Sequence, residues 1–456
     1  MNLPSSATGL LDAPDRGTAQ GAPPHQGSRP SAPGQKLDGL AAAALVCLAA
    51  TVGLGDIPTL SPGTSLVSTA VHGLMPLVIS LALLNALCAR RWPRFPTSLA
   101  LPFSVWLAVL VTSALSAPAY QIEAIAALAR PASGALLAWA VYDVCGTQQR
   151  WQRVIQALAL GGLAVACIAV AEATRVPPIA VGLAAIRDGQ VPIGDVPRVA
   201  ATLSHPNEAA MLFELALPLL VAWAWTAAPR WRRPLGLGAL VTLLAIVLTF
   251  SRAGIIAALV SLVLLAGLCV RRSARRRLIT LGTVALALPL ALGWASLMDP
   301  GLDRRLLAGI DEASAAQPPR TEFWSAGIGM FEDHPLLGVG PDNFRWLFSA
   351  YSATPADNLG IHAHDQYLEV LADTGLLGLV AFSWLIAGLM HLAVQRVHYA
   401  RADWAWRAAL LACLSVWLVH ALLDDFERFW PTSVAFWLIV GLLLARPSAS
   451  RARAID

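Results

Sequence analysis

Long apolar segments follow one another along the chain from about Gly39 to residue 445, and short polar loops separate most of them. Most segments have about 17–24 residues, the length that a helix needs to cross a hydrocarbon core of roughly 30 Å. They lack the apolar–polar alternation of a barrel strand, and a backbone in lipid must pair its own polar groups, so helices are predicted. Twelve spans are predicted, near residues 39–55, 66–89, 99–117, 123–145, 154–171, 208–228, 234–250, 254–270, 278–297, 366–394, 408–423 and 431–445.

Composition supports this prediction and excludes several classes of protein. Charged residues make up 13% of the chain, hydrophobic residues 57%, and the mean hydropathy is +0.62. A soluble fold could not bury so much apolar sequence, which excludes a cytosolic enzyme, a secreted disulfide scaffold and a disordered protein. The predicted fold class is an all-α polytopic membrane protein with about twelve transmembrane helices. Membrane lipids are expected partners of such a protein. Its arginines are spread along the chain in small groups, so nucleic acid is not an expected partner.

The two parts of the chain differ in composition. Residues 1–37 are rich in Pro, Gly, Ser and Ala and contain no hydrophobic run, so a disordered cytoplasmic tail is predicted there. Residues 38–456 are predicted to form a single membrane domain. Within it, the segment between spans 9 and 10, residues 298–365, is a large loop whose aromatic residues predict short helices near 320–332 and 341–351.

Arginine counts in the short loops predict the orientation of the chain. The loops after spans 2, 4, 6, 8 and 10 carry sixteen arginines, whereas those after spans 1, 3, 7 and 11 carry only Arg252 and Arg428. Positive charge favours the cytoplasmic side, so both termini are predicted to be cytoplasmic. The loop at 298–365, and a second long loop at about 172–207, then lie on the opposite, periplasmic face.

Candidate chemistry is concentrated where these outer loops meet the membrane. His362, His364 and Asp365 stand just before span 10, where a histidine that is neutral near pH 7 could accept a proton. A solvated loop histidine without a role is the simplest alternative. A metal site formed by the same three residues is another, although their spacing is not that of a typical metal-binding motif.

Three arginines are predicted on the same face. Arg252 joins spans 7 and 8 with almost no loop, Arg320 opens the aromatic part of the large loop, and Arg198 precedes span 6. Helix capping explains Asn207 and Glu208 at the start of span 6, whereas Glu214, deeper in that span, needs a buried partner.

Arginine and histidine together suit one kind of reaction. Arg stabilises a departing diphosphate, and His takes the proton of an attacking hydroxyl. An outer face has no ATP, so a pre-activated, lipid-linked donor is expected.

Four stretches carry a family resemblance: SRAG at 251–254, RTEFW at 320–324, HPLLGVGPDNF at 334–344 and HDQYLEVLADTGLLGLVAF at 364–382. They resemble the O-antigen ligase and polymerase family, which includes the lipid A-core O-antigen ligase, O-antigen polymerases and bacterial protein O-oligosaccharyltransferases. SHPNEAA at 204–210 is similar to the family's Pro-Asn element. Asp365 stands where the family pattern has Asn after the His.

The resemblance implies an inverting, metal-independent glycosyltransferase of the bacterial inner membrane that needs no cofactor. Such an enzyme moves a glycan from undecaprenyl diphosphate to a hydroxyl of lipid A-core, of a glycan or of a protein, at the periplasmic face. It implies catalytic roles for His364, Arg320 and Arg252, and a ligase-like core region at 234–394. Substrate-binding roles are assigned to Arg198, Asp365 and His362.

Two questions stay open at the level of sequence. Twelve spans also suit a transporter or flippase of a lipid-linked or anionic substrate, although the two halves of this chain differ in their loops. Within the family, ligation, polymerisation of O-antigen or exopolysaccharide repeat units, and protein glycosylation share the same residues.

Overall fold

The computed structural model of the chain is largely helical. It describes residues 32–54, 69–90, 97–184, 192–193, 196–270, 320–353, 362–427 and 429–448. Its helices are α1 (Ala32–Thr51), α2 (Thr69–Cys88), α3 (Thr97–Leu115), α4 (Gln121–Ala127), α5 (Ala129–Val144), α6 (Gln148–Ala173), α7 (Pro177–Ala184), α8 (Pro206–Thr226), α9 (Pro229–Leu248), α10 (Arg252–Val270), α11 (Arg320–Asp333), α12 (Phe344–Tyr351), α13 (Gln366–Tyr399), α14 (Trp404–His420) and α15 (Trp430–Leu444). Two short strands, β1 (Pro192–Ile193) and β2 (Val196–Pro197), pair antiparallel.

The helices fit a multi-pass membrane protein. Within the described residues, seven helical segments are long and apolar enough to cross a membrane, and three further apolar helices are shorter. The predicted ninth span, 278–297, lies outside the described residues, whereas each of the other predicted spans overlaps a helix. The all-α, multi-span class is therefore confirmed, and the count of twelve spans stays a prediction.

Helices α8 and α15 lie in the middle of the bundle. Helix α8 packs against α6, α9, α10 and α14, and most of its residues are buried. In α15 every residue from Pro431 to Leu444 is buried. A helix that is apolar all round must be enclosed, either by protein or by lipid, and here protein encloses both helices.

Helix α13 is interrupted at Gly375, whose backbone angles are φ 65° and ψ −167°. The N–H groups after the interruption need new acceptors. Leu376 N donates to Pro335 O at 2.8 Å, and Leu377 N donates to Leu336 O at 3.3 Å. The break is thus stabilised by a segment that precedes it by about 40 residues in the sequence.

Residues 320–353, here called the cap, supply that segment and have a core of their own. Phe323, Phe344 and Phe348 are buried together and pack against the first part of α13. The cap contains α11 and α12, so the short helices predicted near 320–332 and 341–351 are present. The wider loop at 298–365 includes residues outside the described ranges, and its periplasmic location stays a prediction.

Two glycines of the cap take a backbone conformation with positive φ, which favours glycine. Gly338 has φ 66° and Gly340 has φ 106°. This conformation lets Val339 N donate to Ala372 O at 3.0 Å and Gly340 N donate to Asp373 O at 2.8 Å. The turn and the broken helix therefore hold each other in place.

The predicted tail, residues 1–37, lies largely outside the described residues. Residues 1–31 are not described, so the disordered tail stays a prediction for them. Helix α1 begins at Ala32, within the segment predicted as the tail.

We expect Gly375→Ala to lower the thermal stability of the purified protein. A Cβ at this position would lie 2.3 Å from the backbone carbon of Leu336, and φ 65° is strained for alanine. The two effects together cost of order 2–4 kcal/mol. The matched control is Gly267→Ala in α10, where an added Cβ meets nothing within 4 Å. Equal melting temperatures for the two variants in detergent would contradict the interlocked break.

Candidate active site

Asp424 lies at the centre of the polar cluster, in the turn that follows α14. Its side chain is 1% exposed. Oδ1 lies 2.9 Å from Nε2 of His362 and 3.4 Å from Nδ1 of His364. Oδ2 accepts a hydrogen bond of 2.6 Å from Nδ2 of Asn207. One carboxylate thus connects three segments that are distant in the sequence.

The backbone of the turn is held from two sides. Leu423 N and Asp424 N both donate to His420 O, at 2.8 and 3.1 Å, where α14 ends. Ala421 O accepts a hydrogen bond of 2.9 Å from Gln366 N, which attaches the start of α13 to the turn. These bonds set where the Asp424 carboxylate stands relative to the two histidines.

A second polar pair lies one turn deeper. The ring of His420 is hydrogen-bonded to the carboxylate of Glu214 in α8, and both side chains are fully buried. The sequence predicted a buried partner for Glu214, and His420 is that partner. The pair joins α8 to α14 directly beneath the Asp424 turn.

The two site histidines lie next to each other before α13. Their ring centroids are 4.0 Å apart, and the edge of Phe323 in the cap lies against His364. His364 has a left-handed φ of 51°. This conformation is uncommon for a residue with a Cβ and is found at sites where the surrounding structure imposes it.

Asp365 has a structural role that explains its position. Its Oδ1 accepts hydrogen bonds from Tyr367 N at 2.9 Å and Leu368 N at 3.1 Å, and so caps α13. Burial raises the pKa of Asp365. The expectation that Asp365 binds substrate stays a prediction.

Arg198 is buried and hydrogen-bonded on two sides. Its Nε donates to Thr249 O at 2.7 Å, and its terminal nitrogen donates to Oδ1 of Asn207 at 2.6 Å. Asn207 therefore bridges Arg198 and Asp424. The sequence explained Asn207 by capping alone, but the cap of α8 is His205, whose Nδ1 accepts from Asn207 N at 3.1 Å. Burial and the charge of Arg198 lower the pKa of His205 to about 3, which keeps that nitrogen free to accept.

Arg320 and Arg252 complete a group of three arginines. Arg320 begins α11 and donates to Leu423 O at 3.0 Å, one residue before Asp424. Arg252 begins α10 and is exposed. Burial lowers the pKa of Arg198 to about 10, with further lowering by the charges of Arg320 and Arg252, so all three are close enough to interact. The structure therefore brings together Arg198, Arg252, Arg320 and His364, which the sequence placed on one face.

The protonation of the histidines differs although they are neighbours. Burial, the charge of His362 and the charge of Arg320 lower the pKa of His364 to about 4. Burial also disfavours a charged His362. The hydrogen bond to Asp424, together with the negative charges of Asp424, Glu369 and Asp425, outweighs burial and raises the pKa of His362 to about 9. Burial disfavours a charged Asp424 too, yet both histidines hold its pKa well below the usual range. At pH 7 the cluster thus has a charged His362, an ionised Asp424 and a neutral His364.

A metal ion is the other occupant that this cluster could hold. His362, His364 and Asp424 each offer one ligand atom, and these atoms lie within 4.8 Å of one another. The metal site considered from the sequence had Asp365 as its third ligand, but the carboxylate of Asp365 caps α13. A charged His362 and the nearby arginines oppose a cation at this position.

Sequence analysis missed Asp424, which lies between the last two spans. A signal was present, because Asp424, Asp425 and Glu427 stand together in a short segment between two apolar runs. Carboxylates at the edge of a membrane are costly unless they have partners. The side-chain partners of Asp424 are His362, His364 and Asn207, which are over 50 residues away in the sequence, and no local pattern indicates them.

Comparison with known families confirms the resemblance found in the sequence. Residues 210–383 match the family model described as O-antigen ligase. This match includes Arg252, Arg320 and His364, and it supports a ligase-like or polymerase function in general. Arg198, Asn207 and Asp424 lie outside the matched residues.

The similarity to individual proteins is weak. No curated protein matches the chain. A chain from a solved structure titled "Structural coordination of polymerization and crosslinking by a peptidoglycan synthase complex" is similar over 77% of this chain and 97% of its own length. Its sequence identity is 17% and the TM-score is 0.41.

We expect Asp424→Asn to abolish most of the activity while the protein still folds. Asparagine keeps the size of the side chain but removes the charge that pairs with His362 and orients His364. The expected loss of glycan transfer is about 10²–10⁴-fold, the range for a displaced general base. The control is Asp403→Asn, which removes an ion pair with Arg407 away from the cluster. Transfer at the wild-type rate by Asp424→Asn, measured with a fluorescent glycan donor, would exclude Asp424 from the site.

Proposed function

We propose that the chain is a glycosyltransferase that moves a glycan from undecaprenyl diphosphate onto an acceptor hydroxyl at the periplasmic face of the bacterial inner membrane. The observation that carries the proposal is the neutral imidazole of His364, which stands beside an ionised Asp424 and three arginines. Ligation and polymerisation would use the same chemical step, and the match to the O-antigen ligase family is compatible with both.

His364 is the proposed general base. Its Nδ1 faces Asp424, so a proton on Nδ1 would be stabilised by the carboxylate, and Nε2 would be the nitrogen that accepts a proton. The acceptor oxygen attacks C1 of the donor sugar while its proton passes to Nε2. The bond between C1 and the diphosphate oxygen breaks in the same displacement, which inverts the configuration at C1.

The arginines are the proposed partners of the leaving diphosphate. Arg252 is exposed and Arg320 is partly buried, so both could contact a phosphate at the surface of the membrane. Arg198 is held by Thr249 and Asn207, and its charge would act at longer range. Charge that develops on the diphosphate oxygen is stabilised by donors that are already in place.

The charges of the cluster support a metal-independent mechanism. Both oxygens of Asp424 already have partners, since Oδ1 lies near the histidines and Oδ2 accepts from Asn207. The arginines supply the positive charge that a divalent cation provides in other transferases. EDTA is therefore expected to leave the rate of transfer unchanged.

The proposed orientation rests on the arginine bias of the short loops. It places the cap and the Asp424 cluster at the periplasmic surface, where lipid-linked glycans are presented. Both termini would then be cytoplasmic.

We expect glycan transfer to decline at acidic pH with an apparent pKa near 4, because His364 loses its ability to accept a proton when it is protonated. His362 is charged in this range, and its charge lowers the pKa of His364. His362→Gln should therefore move the acidic limb to higher pH, while His364→Asn should reduce transfer about 10²–10⁴-fold near pH 7 and lose the acidic limb. Asparagine tolerates the left-handed backbone at position 364.

The measurement is kcat/KM for a labelled undecaprenyl-diphosphate glycan between pH 3.5 and 8, with melting curves at each pH to verify folding. An unchanged acidic limb in His362→Gln would contradict the electrostatic coupling of the two rings. Near-normal transfer by His364→Asn would remove the proposed base.

We expect Arg252→Ala and Arg320→Ala each to reduce transfer by about 10- to 150-fold, the equivalent of roughly 1.5–3 kcal/mol for one charge-assisted bond. Lysine keeps the charge but loses the planar fork, so the Lys variants should lie between Ala and wild type. Arg401→Ala is the control, since Arg401 is exposed in the loop between α13 and α14.

The assay uses purified donor in detergent, with and without EDTA. If the two Ala variants match Arg401→Ala, the arginines do not bind the diphosphate. If EDTA stops the wild-type reaction, transfer needs a divalent cation and the proposed metal-independent mechanism is wrong.

A further inference from the structure

A cavity of about 400 Å³ lies beside the active site, between α3, the α4–α5 segment, α13 and α15. One end of it is apolar and is formed by residues of the membrane helices. Trp106 and Leu110 of α3, Leu385 and Leu389 of α13, and Trp437 of α15 line that end. Its length along α13 and its apolar lining fit a hydrocarbon chain.

The other end of the cavity is acidic. The carboxylates that line it are those of Glu123, Asp342, Glu369, Asp373, Asp425 and Glu427. Among the described residues it also has two arginines, and both are already engaged. Arg130 donates to Glu427 O at 2.6 Å, and Arg345 is paired with Asp342. Burial raises the pKa of Glu427 to about 7, which limits but does not remove the negative charge.

The acidic end connects to the Asp424 cluster. Asp425 follows Asp424 in the same turn, and the charges of Asp425 and Glu369 both act on His362. A group bound at this end would therefore lie next to the proposed reaction centre.

Gln366 lies in the wall of this cavity and has a buried side-chain oxygen that lacks a donor among the described residues. The side chain is 4% exposed, and the oxygen is Oε1. A buried carbonyl oxygen without a partner is costly, so a ligand that donates to it is favoured.

We propose that this cavity binds the acceptor, and that the acceptor is a lipid-anchored, uncharged glycan whose hydrocarbon chain occupies the apolar end and whose sugar hydroxyls donate to Gln366 and the acidic rim. This inference rests on the proposed function and specifies its acceptor class. Hydroxyl groups are donors that both a carboxylate and an amide oxygen accept. A protein serine or a phosphate-bearing headgroup would not use both ends of the cavity.

Charge separates this cavity from the place of the donor. A diphosphate would meet the carboxylates of the acidic end and, among the described residues, two arginines that are already engaged, and like charges in a partly buried site repel. Burial disfavours charge on Asp373 and raises the pKa of Glu427, so these two contribute less to the repulsion than the other four carboxylates. Arg198, Arg252 and Arg320 do not line the cavity. Arg320 donates a hydrogen bond to Leu423 O in the turn, whereas Asp425 of the same turn lines the cavity. A donor at Arg320 and an acceptor in the cavity would therefore contact different residues of this turn.

Photo-crosslinking in lipid nanodiscs tests the proposal without requiring transfer. The neutral probe is a diglucosyl diacylglycerol with a diazirine in its acyl chain. Phosphatidylglycerol and a polyprenyl diphosphate with the same diazirine are the two anionic probes. The neutral probe is expected to label peptides of α3 and of α13 near 385–389, about tenfold more than either anionic probe.

Leu385→Trp should fill the apolar end and reduce labelling by the neutral probe about tenfold. Val380→Trp is the matched control, because Val380 lies on the same helix, is 59% exposed and does not line the cavity. If Leu385→Trp does not fold, Gln366→Ala replaces it and should weaken labelling by the neutral probe only.

Two outcomes would overturn the inference. Stronger labelling by the polyprenyl diphosphate would make the cavity the site of the donor chain, and equal labelling by all three probes would make it a general lipid groove. Neither outcome depends on catalysis. A failure of the wild type to transfer glycan from undecaprenyl diphosphate would instead contradict the proposed function alone.

Discussion

The buried carboxylate of Asp424 is the constraint on which the site depends. An ionised group that is 1% exposed is stable only if charged or polar partners surround it. His362 and Asn207 provide these partners from the start of α13 and the start of α8, and His364 lies 3.4 Å away. Meeting this requirement fixes three distant segments relative to one another, and it also leaves one of the two histidines neutral.

The broken helix α13 connects this constraint to the cap. Because Gly375 interrupts the helix, the backbone around it needs partners, and the 335–340 turn of the cap provides them. The cap is thereby held at the start of α13, and Arg320 at its first helix reaches the carbonyl of Leu423 beside Asp424. A requirement of the backbone in a membrane protein therefore determines where the guanidinium of Arg320 stands.

Charge divides the surroundings of the Asp424 turn into two regions. The three arginines contribute positive charge near Arg320, and the acidic rim of the cavity contributes negative charge near Asp425. His362 is in range of the rim, and His364 is in range of Arg320. The proposed reaction needs an anionic donor and a hydroxyl acceptor in different places, and opposite potentials would accomplish this separation without a moving part.

The sequence by itself determined the features that local patterns encode. Apolar runs predicted the membrane helices, aromatic residues predicted the two short helices of the cap, and the loop arginines and His364 were placed on one face. Tertiary structure alone decided the partners: Asp424 for the histidines, Asn207 as a bridge, His420 for Glu214, and the break at Gly375. Hydrophobic periodicity and helix propensity act over a few residues, whereas the pairing of buried charges depends on which helices meet, and that is decided by packing along the whole chain.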